Sequence, residues 1–280
     1  MIKLKNVIGK NIQAEQTGLR PLIYLDNWAF NTFSINNNYR DRFVDIVNSL
    51  GGTLAISIVN LFEIVNRDDK DQILSICRLV DLIDGIFIDV NPNNVIQREK
   101  DFENIDSDLL PSSPCADTQL LMGYFLHVHN PLKIPKISDA ILNLCGARQS
   151  DKNTIIDNFE TELYPKIENA RNDADMLEQA KRRYANKSYR IRTKYPYTAD
   201  LNSRCIDFIV INENMKMPNK EWRDILHLIV PVSYCDYVCI DTRWESFIKS
   251  SGFEYPEIAK IYTSNTLDDF LNDLKGFKAN

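Results

Sequence analysis

Glycine is scarce, with nine in 280 residues. None builds a phosphate-cradling loop of the Walker or dinucleotide type, which argues against a nucleoside triphosphatase or a nicotinamide enzyme. Paired cysteines are missing as well. Cys77, Cys115, Cys145, Cys205, Cys235 and Cys239 include no Cys-x-x-Cys, so neither a zinc ribbon nor a dithiol redox motif is in view. Reduced, mostly buried thiols are expected. No apolar run reaches the length of a membrane span. The opening MIKLKNVIGKNIQAEQ lacks the apolar stretch and small-residue cleavage site of a signal peptide. The expected compartment is the cytoplasm, with no membrane partner. Positive charge is in deficit: the formal net charge is −6. No global field draws nucleic acid to such a chain, so a local basic stripe or bound cations would have to.

What remains is an ordinary globular composition, 44% hydrophobic and 26% charged, in a chain long enough for a sizeable core. Short apolar runs at 21–26, 53–58 and 85–90 read as strands. Helical patterns at 28–35, 40–50, 59–66 and 70–84 alternate with them. That alternation predicts a parallel α/β sheet. From about 91 to 218 the pattern is almost purely helical, with candidates at 117–129, 138–148, 151–187 and 198–214. The α/β pattern then returns. A helix over 220–234, with Asn219 as N-cap, precedes the strand YVCID. A short helix closed by Gly252, the strand IAKIYTS and a last helix capped by Thr266 complete the chain. The expected architecture is one domain over 1–280, with a core at about 21–90 and 219–275 and a helical insertion at about 91–218.

Four acids stand where apolar side chains normally go. Asp26 ends PLIYLD, Glu63 sits in AISIVNLFEIV, Asp224 opens DILHLIVPV and Asp241 ends YVCID. Desolvating a carboxylate is costly without a partner. In an open α/β sheet the crevice at the C-terminal strand ends is the usual site, and the four could converge there. A hard divalent cation would relieve their repulsion, and Mg²⁺ or Mn²⁺ suits oxygen ligands. Such ions serve phosphodiester hydrolysis. Each acid also has a bland reading: a turn aspartate for Asp26 and Asp241, an exposed helix residue for Glu63, a dipole-favoured first-turn acid for Asp224. Asp236 reads as a junction residue and Asp207 as a helix acid.

The segments LIYLDNWAF, SIVNLFEI, DILHLIVPVSYCDYVCIDTRW and IAKIYTSNTLDDFL, in that order, resemble the PIN domain ribonucleases. The resemblance covers about 21–66 and 219–275. It implies a PIN-like parallel-sheet α/β/α sandwich here carrying a long helical insertion. It also implies an Mg²⁺- or Mn²⁺-dependent endoribonuclease in which Asp26, Glu63, Asp224 and Asp241 are both catalytic and metal-ligating. Its products would carry a 3′-hydroxyl and a 5′-phosphate. Many bacterial members are toxins or defence effectors, which implies RNA as substrate ahead of DNA and an antitoxin or regulatory protein as partner, and leaves room for a homodimer. Two departures stand out: Asn27 where the family often has Thr or Ser, and the length of the insertion.

Several polar residues are candidates for substrate contact. His227 is one turn after Asp224 and shares its helix face; it reads as a phosphate or carboxylate contact, or as a satisfied buried histidine. Asn27, Asn60 and Ser57 could orient metal waters or backbone. His127 and His129 point apart on a helix, against a zinc site. The stretch Lys181–Tyr197 is basic, holding Arg182, Arg183, Arg190 and Arg192 among interleaved tyrosines and no acid. Cations and rings in that pattern suit single-stranded nucleic acid, and a solvated helix end is the plain alternative. Arg243 could reach substrate, while Trp244 reads as core.

Two rival functions follow. A haloacid dehalogenase-like phosphatase needs a second Asp two residues after the first, where this chain has Trp28. A catalytically inactive PIN-like module that binds nucleic acid or protein is the other. Lys or Arg ion pairs on each of the four acids would favour the module.

Overall fold

The computed structural model describes residues 2–5, 13–104, 113–126, 136–145, 161, 163–188, 198–215 and 221–278. Strands β1 (Ile2–Lys5) and β2 (Gln13–Gln16) form an antiparallel pair that the sequence pattern does not announce. The main sheet comprises β3 (Leu22–Leu25), β4 (Thr53–Ser57), β5 (Gly85–Ile88), β6 (Tyr237–Cys239) and β7 (Lys260–Tyr262). Its order is β5-β4-β3-β6-β7 and every pairing is parallel. Helices follow in chain order: α1 (Asn27–Ile35), α2 (Asn37–Leu50), α3 (Ile58–Val65), α4 (Lys70–Val80), α5 (Pro92–Asn104), α6 (Thr118–Leu126) and α7 (Ile137–Cys145). Then come α8 (described over residues 163–172), α9 (Ala174–Ala185), α10 (Thr198–Ile211), α11 (Glu221–Tyr234), α12 (Glu245–Ser250) and α13 (Leu267–Lys275).

Local chemistry places the boundaries. Asn36 caps α2 through the N–H groups of Asn38 and Tyr39, and Gly51, at φ 66°, ends it in the left-handed region. Ser57 and Asn60 form a reciprocal capping box that starts α3 directly at the end of β4. The pattern at 151–187 predicts one long helix, but Asp173 caps α9 through the N–H groups of Asp175 and Met176 and separates it from α8. Residues 151–160 of that expected helix, and Asn219, lie outside the described residues. Thr266 stands at the N-cap of α13, but its hydroxyl accepts from the Thr263 N–H instead of capping the helix.

Both faces of the sheet are covered, which is why its strands read as continuous apolar runs. Tyr24, Ala55, Ile86, Ile88 and Val238 point into a core shared with α8, α10, α11 and α12. Ile23, Leu25, Leu54, Ile56, Phe87, Tyr237, Cys239 and Tyr262 point into the other, shared with α1, α2, α4, α7 and α13. Helices from the 91–218 region therefore supply covering layers on both faces. Five cysteines are buried, Cys145 is exposed and all are free. Among the described residues no helix is long and apolar enough to cross a membrane.

Candidate functional site

From β3 the chain winds outward through β4 to β5, then returns to the middle to lay β6 and β7 on the other side of β3. The order reverses between β3 and β6, and crevices open at such switch points. Asp26 leaves β3 there and Asp241 leaves β6. The two strand ends are tied by the Asp26 N–H donating to the Cys239 carbonyl at 3.0 Å.

Three side chains converge at this crevice. Asp26, Glu63 on α3 and His227 on α11 each offer a donor atom, all within 4.8 Å of one another. His227 Nε2 lies 3.1 Å from Glu63 Oε2 and 3.8 Å from Asp26 Oδ1. His227 is 1% exposed and Asp26 7%. The Asp26 carboxylate takes one hydrogen bond among the described residues, from the Asn27 N–H. On its far side His227 Nδ1 meets the Tyr24 hydroxyl at 2.6 Å, and that hydroxyl meets Ser57 Oγ at 3.0 Å.

The electrostatics follow from burial and proximity. Burial raises the Asp26 carboxyl above its ordinary value; Glu63 and Asp241 add to this, and His227 opposes it. Burial also works to raise Glu63, yet the His227 cation and its hydrogen bond, with the guanidinium groups of Arg223 and Arg67, hold that carboxyl below the usual range. Burial lifts Asp224 to about 6 despite Arg243. Burial disfavours the His227 imidazolium, but Glu63, Asp26 and Asp224 outweigh it and lift the ring to about 9.

The other expected site residues are placed as follows. Asp224 is near the start of α11, paired with the Arg243 guanidinium and within electrostatic reach of Asp26 and His227. Asp241 is exposed and accepts from the Arg243 N–H at 2.8 Å. Asn60 is buried and anchors its own helix start: its Oδ1 accepts from the Ser57 N–H at 3.0 Å and its Nδ2 donates to the Leu25 carbonyl at 3.0 Å. Asn27 accepts from Arg67. Arg182 pairs with Glu178 one turn earlier at 3.0 Å. Arg183 pairs with the buried Asp207 at 2.6 Å, and Tyr184 bonds Ser250 at 2.5 Å, so these two residues of the basic stretch are engaged on α10 and α12. Arg190, Arg192, His127 and His129 lie outside the described residues. Asp236 sits at the opposite end of the sheet, where it accepts from Arg20 Nε at 2.8 Å and the Leu22 N–H at 2.7 Å.

Sequence reasoning missed Tyr24, Arg67 and Arg223. Arg67 follows Glu63 by one helical turn, a spacing that could have flagged it. Tyr24 carries no such signal, because it reads as one more strand apolar. A cavity of about 460 Å³ is lined by Ile58, Asp89, Asn91, Asn94, Arg98, Asp117, Gln119 and Leu226 among others, and by none of the three cluster residues. It shares the strand-end side of the sheet, since Ile58 follows Ser57, Leu226 precedes His227 and Asp89 follows β5. Compared with known proteins, the chain matches no family, no curated protein and no solved structure.

Proposed function

We propose that this chain is a PIN-like, divalent-metal-dependent endoribonuclease, of the kind used as a toxin or defence effector. The observation that carries the reading is the pair of carboxylates at the switch-point crevice, Asp26 buried and Glu63 largely so. Neither has a Lys or Arg ion pair among the described residues. Two carboxylates this close and this shielded from water repel each other unless a cation or proton intervenes. Their oxygens suit Mg²⁺ or Mn²⁺. Asp26 and Glu63 would hold the ion, with Asp241 at the exposed rim. Such an ion supplies an activated water and offsets charge on the attacked phosphate.

The chain's own groups complete the chemistry. Arg67 and Arg223, the guanidinium groups that act on Glu63, would hold the phosphate. Asp224, whose carboxyl keeps its proton up to about 6, would protonate the leaving 3′-oxygen at its carboxyl oxygen. The cavity on the same side of the sheet would accept a flanking nucleotide, its amides meeting base edges. An antitoxin or regulatory protein as partner rests on the family resemblance.

A second reading has an observation in its favour. The Asp224–Arg243 and Glu63–His227 pairs neutralise two of the acids internally, as a binding module without catalysis would. The deciding experiment is purified protein with Mn²⁺ on labelled single-stranded RNA and DNA, beside Asp26→Asn and Asp241→Asn. RNA cleavage is expected for the wild type and a loss of at least about 100-fold in both variants. Equal cleavage by all three sinks the assignment. RNA binding without cleavage selects the module.

A further inference from the structure

The polar chain behind His227 has a direction, and two backbone groups set it. The Leu25 carbonyl can only accept, so it takes Asn60 Nδ2 at 3.0 Å. Asn60 therefore turns its oxygen to Ser57, where Oδ1 accepts from both the backbone N–H and the hydroxyl, each at 3.0 Å. The Ser57 hydroxyl has then committed its proton. Its oxygen can only accept, and it does so from the Asn60 N–H at 3.2 Å and from the Tyr24 hydroxyl at 3.0 Å. Tyr24 has in turn committed its proton, so at 2.6 Å it must accept from a protonated Nδ1 of His227. Every member of this chain is buried, with Tyr24 and Ser57 at 0% exposure and Asn60 and His227 at 1%.

The consequence falls on the other ring nitrogen. With Nδ1 holding its hydrogen, Nε2 faces the carboxylates of Glu63 and Asp26, and the proton it carries in the metal-free protein is the one a metal would displace. A ring nitrogen fixed this way by a hydrogen bond on its opposite side is how proteins orient a histidine toward a metal. A separate observation points to a ligand: the buried Asp26 carboxylate, with two oxygens, receives only the Asn27 N–H among the described residues. A buried carboxylate with so few donors is costly to keep.

We propose that His227 Nε2 is a nitrogen ligand beside Asp26 and Glu63, held in its ligating tautomer by Tyr24, Ser57 and Asn60, so that the site selects a first-row transition-metal dication over Mg²⁺. This rests on the reading of the cluster as a metal site. Imidazole suits Fe²⁺, Ni²⁺ and Zn²⁺, whereas Mg²⁺ prefers oxygen ligands and keeps its waters; Mn²⁺, at the weak end of the same series, is the paramagnetic probe of the site. Tyr24, Ser57 and Asn60 are positioning residues, since they act on the metal only through the ring.

The test uses the full chain stripped of metal with chelator. Mn²⁺ and Mg²⁺ affinities are measured by calorimetric titration, and the bound Mn²⁺ is read by pulsed electron paramagnetic resonance for coupling to a directly bound nitrogen. The expected result is Mn²⁺ bound more tightly than Mg²⁺ by at least about tenfold, with a nitrogen coupling. In His227→Gln, where an amide oxygen replaces the ring nitrogen, the coupling should vanish and the two affinities converge. In Tyr24→Phe, Mn²⁺ affinity should fall by about 10- to 100-fold while Mg²⁺ binding barely moves, which a merely structural role would not produce. Asp26→Asn locates the site by abolishing Mn²⁺ binding there, and so separates it from His127 and His129. If Mn²⁺ binds at Asp26 with oxygen-only coupling, or no better than Mg²⁺, nitrogen ligation is overturned and the nuclease reading stands. If Asp26→Asn leaves Mn²⁺ binding unchanged, the inference fails, and RNA cleavage by the wild type then judges the nuclease reading alone. The wild-type spectrum decides even if a variant does not fold.

Discussion

Asp26 and Asp236 occupy opposite ends of neighbouring strands and meet opposite surroundings. Asp236 receives an Arg20 guanidinium and the Leu22 N–H, so it staples the start of β3 to β6. Asp236→Ala should lower stability by about 1–3 kcal/mol in chemical denaturation, the cost of leaving the Leu22 N–H unpaired, while Mn²⁺ affinity stays at the wild-type value. Asp26 has no such neutralising partner, and its repulsion from Glu63 is moderated by His227. That arrangement sets a pH dependence for the metal-free protein. His227 titrates near 9 when folded against an ordinary 6.5, so its contribution is complete below about 6.5 and is lost as pH rises through about 9. Asp224, lifted to about 6 from 3.8, acts in the same direction at lower pH: its stabilising protonated form is lost as pH rises through about 6. Glu63, held low by the same histidine, acts the other way, and its contribution is lost only as pH falls through its depressed value. Thermal melts in chelator should therefore show the melting temperature falling between pH 6.5 and 9, and His227→Gln should flatten that fall. The acids were legible as residues because each breaks an apolar run. The carboxylate contact of His227 was legible from its spacing, but the orientation of its ring was not, because that is set by a tyrosine 203 positions earlier in the chain.

At the scale of elements, β5 is the edge of the sheet and its backbone is claimed by side chain and loop. Gln16 places its amide against Phe87, donating to the carbonyl at 2.7 Å and accepting from the N–H at 2.9 Å. The Asp117 N–H reaches the same carbonyl at 3.1 Å. Covering an edge in this way leaves no open template for strand addition. Gln16→Ala should cost about 1–2 kcal/mol in denaturant melts and increase self-association on a sizing column, with the Asp26–Glu63–His227 cluster unaffected. Short, fully buried strands flanked by helices were readable from apolar runs and periodicity. The break between α8 and α9 was not, since an aspartate inside a charged helical pattern looks like surface until its side chain is seen capping α9 at Asp173.

For the whole molecule, the central question is what covers the sheet. Tyr24, Ala55, Ile86 and Ile88 meet Leu163, Ile167, Leu201, Cys205 and Ile209 in one core, so the region that reads as an insertion is also a wall of the fold. Deleting residues 161–215 should expose that face, and the shortened chain should bind a hydrophobic dye and lose cooperative unfolding; a sharp transition in the shortened chain would show the wall to be dispensable. The sequence alone determined the alternation of strand and helix, the absence of phosphate loops and thiol pairs, and the candidate acids, of which Asp241 stands exposed at the rim, because each depends on residue type and short spacing. Tertiary structure alone decided which acids meet. The reversal of strand order between β3 and β6 brings Asp26 and Asp241 to one crevice, α3 and α11 carry Glu63 and His227 to the same point, and Arg243 takes Asp224 as its partner. Contacts of that kind depend on sheet order, and sheet order is a property of the packed chain and not of any segment within it.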